Sequence, residues 1–330
     1  MTSRFLHLSV CAGALLAAPA FAQDDINLAF FSAWGANSYN NAIYQGALDA
    51  AEEAGGVNVD IFDGSNDAAL QFTQVEDIVT SGGYDAFVIS PNDATGIEAA
   101  VQMAVDSGMA GAATLFPIGP DLTTLAPQVE GLVATAANLP VPGATLQAEA
   151  VAEYCADIAP CKVVAIVGQM IYPTDNMRYE AYQAVFAEHE NIEIVSTIEG
   201  KYSPDETLTA MTDMLLVNPD IDAIVSVADQ HLVGAEIALE DAGIDPTSIY
   251  MMGAGASDSA IAAIREGRWS ATLGNYPYTM GYLATQAVIA SLRGETVEPE
   301  IDMDVYGPLP AIITQDVLLE NPDFLGEWQG

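Results

Sequence analysis

Side chains able to do covalent chemistry are few in this chain, and none stands in a working constellation. Beyond the first 22 residues the histidines are His189 and His231. His189 lies in Ala187-Glu188-His189-Glu190-Asn191, a polar helix end where a cation suits the helix dipole. His231 follows Asp229-Gln230 just after a strand pattern. No HExxH pair is present to hold zinc. Gly253-Ala254-Gly255-Ala256-Ser257 resembles a nucleophile elbow only loosely, because its serine is out of place. The same stretch lacks the third glycine of a dinucleotide fingerprint. Asp63-Gly64-Ser65-Asn66-Asp67 lacks the closing glutamate of a calcium loop. Carboxylate pairs carry no information in a chain with 46 Asp and Glu. The residues therefore predict a non-enzyme with no catalytic group, no metal site and no cofactor.

The remaining chemistry is oxidative. Met1 to Arg4 is a short basic start, Phe5 to Ala18 is mostly apolar, and Ala20-Phe21-Ala22 gives a small-x-small cleavage pattern. This reads as a signal peptide, residues 1–22, cut after Ala22. Its apolar run is shorter than the ~20 residues that a membrane span needs. No later stretch qualifies either, so no membrane insertion of the mature chain is expected. Export places Cys155 and Cys161 where paired thiols oxidise. The segment between them reads as a helix end, a proline turn and a strand start, which brings the two together as a disulfide.

The elements that must position any site follow from periodicity. Short β-rich runs alternate with longer alanine-rich helical ones. Strand patterns at 26–31, 57–62, 86–90 and 112–116 alternate with helical ones at 40–54, 69–81 and 96–107. The stretch 117–142 is irregular, rich in Pro, Leu and Thr. Helix 144–156 and strand 162–168 restart the alternation, which runs to a strand at 270–274. The pattern predicts an α/β protein of two doubly wound parallel-sheet lobes. Ligands of such sheets bind beyond the carboxyl ends of the strands, and two lobes leave a cleft between them. Seven Lys and Arg against 46 acids, a net charge of −39, cannot neutralise a row of phosphates. Nucleic acid and anionic membrane surfaces are excluded as partners.

Several segments in order then carry a resemblance. They are Ala29-Phe30-Phe31, Asn37-Ser38-Tyr39-Asn40, Asp63 to Ala69, and Ile89-Ser90-Pro91-Asn92-Asp93. Arg178-Tyr179-Glu180-Ala181-Tyr182, Ser226-Val227-Ala228-Asp229 and Gly281-Tyr282-Leu283-Ala284 continue it. Behind a signal peptide, this order resembles the periplasmic sugar-binding proteins of ABC importers, in the ribose- and galactose-binding group with the type I periplasmic binding protein fold.

The resemblance implies a first lobe of residues 23–137 plus 276–304 and a second of 138–275 plus 305–330. Three crossovers near Asn138, Asn275-Tyr276 and Asp304 would join them, and the lobes would close on the ligand by a hinge motion. It implies a periplasmic monomer that hands a neutral sugar or polyol to an inner-membrane ABC permease. The charged clamp of ribose binders is replaced here: Leu115-Phe116 stand for an Asp-Arg pair, Asn176 for an Arg and Gly255 for an Asp. The ligand-contact set so implied is Trp34, Asn37, Tyr39, Asn40, Asn92, Asp93, Phe116, Tyr172, Asn176, Arg178, Tyr202, Asp229 and Asn275. Loss of the clamp leaves a second reading open, a quaternary-amine or other cationic solute in an aromatic cage with Asp93 or Asp229 as counter-charge. A third is a sensor that reports to a membrane kinase or chemoreceptor.

The acids are spread along the chain, which raises self-repulsion throughout and suits a salty periplasm. Screening tightens from a Debye length of about 8 Å at 0.15 M salt towards about 3 Å at 1 M. The melting temperature is expected to rise with sodium chloride from low to seawater-like concentration, as read by differential scanning fluorimetry. A flat or falling curve would contradict this account of the charge.

Overall fold

The computed structural model describes residues 25–330. The signal peptide and its cleavage site lie outside the described residues. Among those described, the chain builds two six-stranded sheets, each flanked by helices on both faces.

The first sheet collects β1 (Ile26–Ser32), β2 (Val57–Asp63), β3 (Ala86–Ile89), β4 (Ala110–Leu115) and β5 (Ala134–Ala137). The second collects β6 (Cys161–Val167), β7 (Ile192–Glu199), β8 (Ala223–Ser226), β9 (Tyr250–Ala254) and β10 (Ala271–Leu273). The chain then returns to the first sheet as β11 (Glu300–Asp302) and ends its strands in the second as β12 (Ile312–Thr314). Strand orders are β11-β5-β4-β3-β1-β2 and β12-β10-β9-β8-β6-β7. The chain therefore passes between the sheets three times. All pairings are parallel except β12, which runs antiparallel to β10 at the sheet edge.

Central strands are apolar on both faces because helices cover both: β3, β5 and β8 are buried at every position. The edge strand β2 alternates instead. In the first lobe, α1 (Ser38–Ala54) and α9 (Pro277–Leu292) cover one face, and α2 (Ala68–Ser81) and α3 (Glu98–Asp106) the other. In the second, α4 (Pro140–Tyr154) and α5 (Pro173–Phe186) cover one face. The other carries α6 (Pro204–Val217), α7 (Asp229–Asp241) and α8 (Asp258–Arg265). Short helices α10 (Met303–Tyr306) and α11 (Gln315–Glu320) follow β11 and β12. No helix among the described residues is long and apolar enough to cross a membrane.

Two regions differ from the sequence pattern. The stretch 117–142, irregular by pattern, contains β5 and the start of α4. β5 is only Ala-Thr-Ala-Ala, too short and too small for a periodic signal, and takes its conformation from pairing with β4 and β11. Beyond residue 274, α9 is apolar nearly all round, so it shows no polar face to mark it.

Cys155 and Cys161 form the disulfide expected from the sequence, tying the turn after α4 to the start of β6. In the chain-entropy picture so small a loop contributes about 2 kcal/mol. Replacing both with alanine should lower the urea-unfolding free energy by about that amount at unchanged solute binding. An unchanged unfolding curve would show that the bond constrains nothing the turn does not already fix.

Candidate functional site

The carboxyl ends of both sheets face one another across a cavity of about 500 Å³. Its wall carries six aromatic rings, Trp34, Tyr39, Phe116, Tyr172, Tyr202 and Trp328. Several are placed by identifiable hydrogen bonds or backbone turns.

In the first lobe, Asn37 caps α1. Its Oδ1 accepts from the backbone N–H of Tyr39 at 3.0 Å and of Asn40 at 3.3 Å, which sets both side chains on the first turn. Gln71, fully buried on α2, donates to Ser90 O at 2.9 Å and accepts from Asn92 N–H at 2.8 Å. That strut holds the loop after β3 in place. Leu115 adopts a left-handed φ of 71°, which swings Phe116 into the cleft. Asp93 sits on the exposed rim, where its Oδ1 accepts from Thr95 N–H at 3.1 Å and Gly96 N–H at 2.9 Å.

In the second lobe the organiser is Asp175, whose side chain is wholly buried. It accepts from Gln169 N–H at 2.7 Å and Tyr202 O–H at 2.6 Å, and pairs with Arg178 at 3.4 Å. Burial, and the Asp175 charge next, push the Tyr202 phenol far up, so it stays a hydrogen-bond donor. Gly168 has no side chain to meet the Tyr202 ring, which an added Cβ would strike at 2.1 Å. Across the cleft the Arg178 guanidinium lies 5.6 Å from the Phe116 ring centre, a cation–π contact between the lobes.

Tyr202 stands in a turn where Lys201 and Tyr202 both have positive φ, 49° and 54°. Residues of α7 hold that turn. Gln230 donates to Tyr202 O at 2.6 Å, and Tyr202 N–H donates to His231 Nε2 at 2.9 Å. His231 Nδ1 lies 2.9 Å from Ser226 Oγ, which itself donates to Ala228 O. Nε2 is thus an acceptor and Nδ1 carries the proton. Burial pushes the imidazole down to about 3, so it is neutral at pH 7.

Of the residues singled out from the sequence, Trp34, Asn37, Tyr39, Asn40, Asn92, Asp93, Phe116, Tyr172, Arg178, Tyr202 and Asn275 line the cavity. Asn176 and Asp229 do not. Asn176 turns back to donate to Met170 O and Tyr172 O, fastening the loop that carries Tyr172. Asp229 begins α7 with its side chain buried, accepting from Ser257 N–H at 2.8 Å and Thr272 O–H at 2.6 Å. Burial pushes its carboxyl up to about 6. Lys201, Gln230 and Trp328 line the wall without having been singled out. The first two follow strands and were findable by that rule. Trp328 lies beyond the last element, where no local pattern points to the cleft.

Among the cavity-lining residues, two buried amide atoms have no hydrogen-bond partner, Asn40 Oδ1 and Asn92 Nδ2.

Two doubly wound lobes facing a shared aromatic cleft define a bilobal solute-binding protein. The chain belongs to the family described as periplasmic binding protein domain, whose model matches residues 28–296. It is similar to the ribose import binding protein of Bacillus subtilis, 28% identical over 74% of this chain and 75% of the relative. A putative rhizopine-binding protein of Rhizobium meliloti is 26% identical over 80% of this chain and 84% of its own length. Among solved structures, an ABC transporter periplasmic solute-binding protein of Actinobacillus succinogenes with bound D-allose superposes with a TM-score of 0.77. It is 20% identical, covering 89% of this chain and 99% of that one. The Caulobacter myo-inositol binding protein gives 0.75 at 21% identity, covering 91% and 96%. The likeness read from the sequence motifs therefore holds, and the family is one of sugar- and polyol-binding proteins rather than enzymes.

The neutral His231 makes the wall sensitive to acid. Its folded value near 3 lies below the ordinary 6.5, so its contribution to stability is complete above pH 6.5 and is lost as pH falls towards 3. Asp229 has the opposite sign, contributing below about pH 4 and losing that as pH rises through 6. Between pH 7.5 and 5, wild type should lose about 2 kcal/mol more unfolding free energy than His231→Gln. Urea titrations at the two pH values measure this; equal losses would mean that His231 titrates freely in the fold.

Proposed function

We propose that this chain is the extracytoplasmic solute-binding protein of an ABC importer. It holds a neutral ring sugar or polyol in the interlobe cleft and delivers it to an inner-membrane permease. The observation that carries the reading is the wall itself. Six rings give an apolar lining for the C–H surface of a cyclic solute, with the amides of Asn40, Asn92 and Asn275 set among them. The relatives' printed ligands, ribose, D-allose and myo-inositol, are all of that chemistry.

In this reading binding energy goes into closing the lobes. The first lobe brings Trp34, Tyr39, Asn40, Asn92 and Phe116, the second Tyr172, Arg178 and Tyr202. A solute touching both sets stabilises the closed arrangement, which is what a permease would recognise. The working molecule is a periplasmic monomer cut after Ala22, with no cofactor and no catalytic step. A cationic solute fits less well. Arg178 and Lys201 are on the wall, Asp229 is not, and Asp93 is spent on its own turn at the rim.

Differential scanning fluorimetry with D-ribose, D-allose, myo-inositol and glycine betaine tests the class. At 100 times its dissociation constant a bound solute adds about 2.7 kcal/mol, a rise of several degrees. One or more of the neutral rings should give it and betaine should not. A response to betaine alone would replace the neutral-solute reading with the cationic one.

A further inference from the structure

The segment after α11 is built into both lobes. On the second-lobe side, Arg265 donates to the carbonyls of Asn321, Pro322 and Phe324 at 3.3, 3.0 and 2.7 Å. Trp328 O accepts from Asp258 N–H at 2.7 Å, and Trp328 Nε1 donates to Gly255 O at 2.6 Å. On the first-lobe side, Glu327 accepts from Thr279 N–H at 3.0 Å and from the Thr279 hydroxyl. Helix α9 has no side-chain cap of its own, so Glu327 caps it from 48 residues away. The Trp328 ring meets Tyr39 edge-on, with centroids 5.3 Å apart.

Trp328 also fills a particular space. Gly255 has a φ of 129°, and a Cβ there would lie 2.5 Å from the indole. Any side chain at position 255 would thus compete with the ring. The indole is 4% exposed, and that small face is part of the cavity wall. The ring is fixed by groups from both lobes, Gly255 on one side and Tyr39 on the other.

We propose that Trp328 is a specificity-determining residue, the floor that sets the size of solute the cleft accepts. With Glu327 it also fastens the segment after α11 across both lobes. The claim rests on the cleft being the solute site. Shrinking the indole to a methyl group deepens the cavity beneath Tyr39, so the preference of the site must move to larger solutes. Phenylalanine keeps most of the floor while losing the bond to Gly255.

The test uses the full mature chain and a size ladder of glycerol, D-ribose, myo-inositol and maltose, read by titration calorimetry. In Trp328→Ala the affinity ratio of a larger to a smaller rung should rise at least about tenfold over wild type, and Trp328→Phe should stay within about threefold. An unchanged ratio in a Trp328→Ala protein that still melts cooperatively would overturn the proposal. Small-angle scattering of the solute-free protein supplies a readout without any ligand. The double variant Glu327→Ala/Trp328→Ala should show a larger radius of gyration than wild type, and an unchanged radius would overturn the two-lobe fastening. If no rung binds either protein, the neutral-solute reading of the cleft falls, and with it the size-setting role of Trp328, while the scattering result still decides the fastening.

Discussion

A buried carboxylate must be paired, and in this molecule one such pairing shapes half of the cleft. Asp175 has no exposed side-chain surface and serves Gln169, Tyr202 and Arg178 together. Each partner is thereby fixed: the loop after β6, the ring after β7 and the one guanidinium on the wall. An ion pair this deep contributes little net stability, since desolvation offsets most of the attraction. Its effect is positional. Without Asp175, Arg178 would be an uncompensated charge, and the Tyr202 hydroxyl would lose its acceptor. With it, Arg178 reaches across to Phe116, and the two lobes meet through a cation and a ring rather than through opposite charges.

The rest of the site follows the same economy of charge. Ribose binders, by the resemblance, hold their sugar with acid and arginine pairs. By the same resemblance those positions correspond to Leu115, Phe116, Asn176 and Gly255. The first two make an apolar wall, Asn176 fastens a loop, and Gly255 leaves room for Trp328. His231 supports the wall in its neutral form, as an acceptor for the Tyr202 backbone. The charged side chains on the wall are Asp93, Arg178 and Lys201. The wall is held in place from behind, by Gln71, Asp175 and His231.

The fold was legible because its signal is repetitive. Strand and helix patterns from 26 to 274 gave two α/β lobes; the family resemblance led to Trp34 and Tyr39, and position after a strand to Phe116, Tyr172 and Tyr202, all of which line the cavity. What failed to show had a physical cause in each case. β5 is four small residues that become a strand only between neighbours. Asp229 and Asn176 stand at the right places along the chain, but their side chains turn inward to satisfy backbone donors and carbonyls. Along the chain Asp175 is one acid among many, in the first turn of a helix. Its role depends on Tyr202, Arg178 and the Gln169 amide converging on it, and convergence is a property of three dimensions. Trp328 follows the last helix, and only the space above Gly255 explains why it is there.

Asp175 holds Tyr202, Arg178 and the loop after β6 in place on the second-lobe wall. Titration calorimetry on Asp175→Asn, with the neutral ring solute that binds wild type, tests it most directly. Asparagine keeps the size and one acceptor but removes the charge that holds Arg178. An affinity loss of at least about tenfold is expected, in a protein that retains its circular dichroism spectrum. A folded Asp175→Asn protein that binds the solute as wild type does would contradict it.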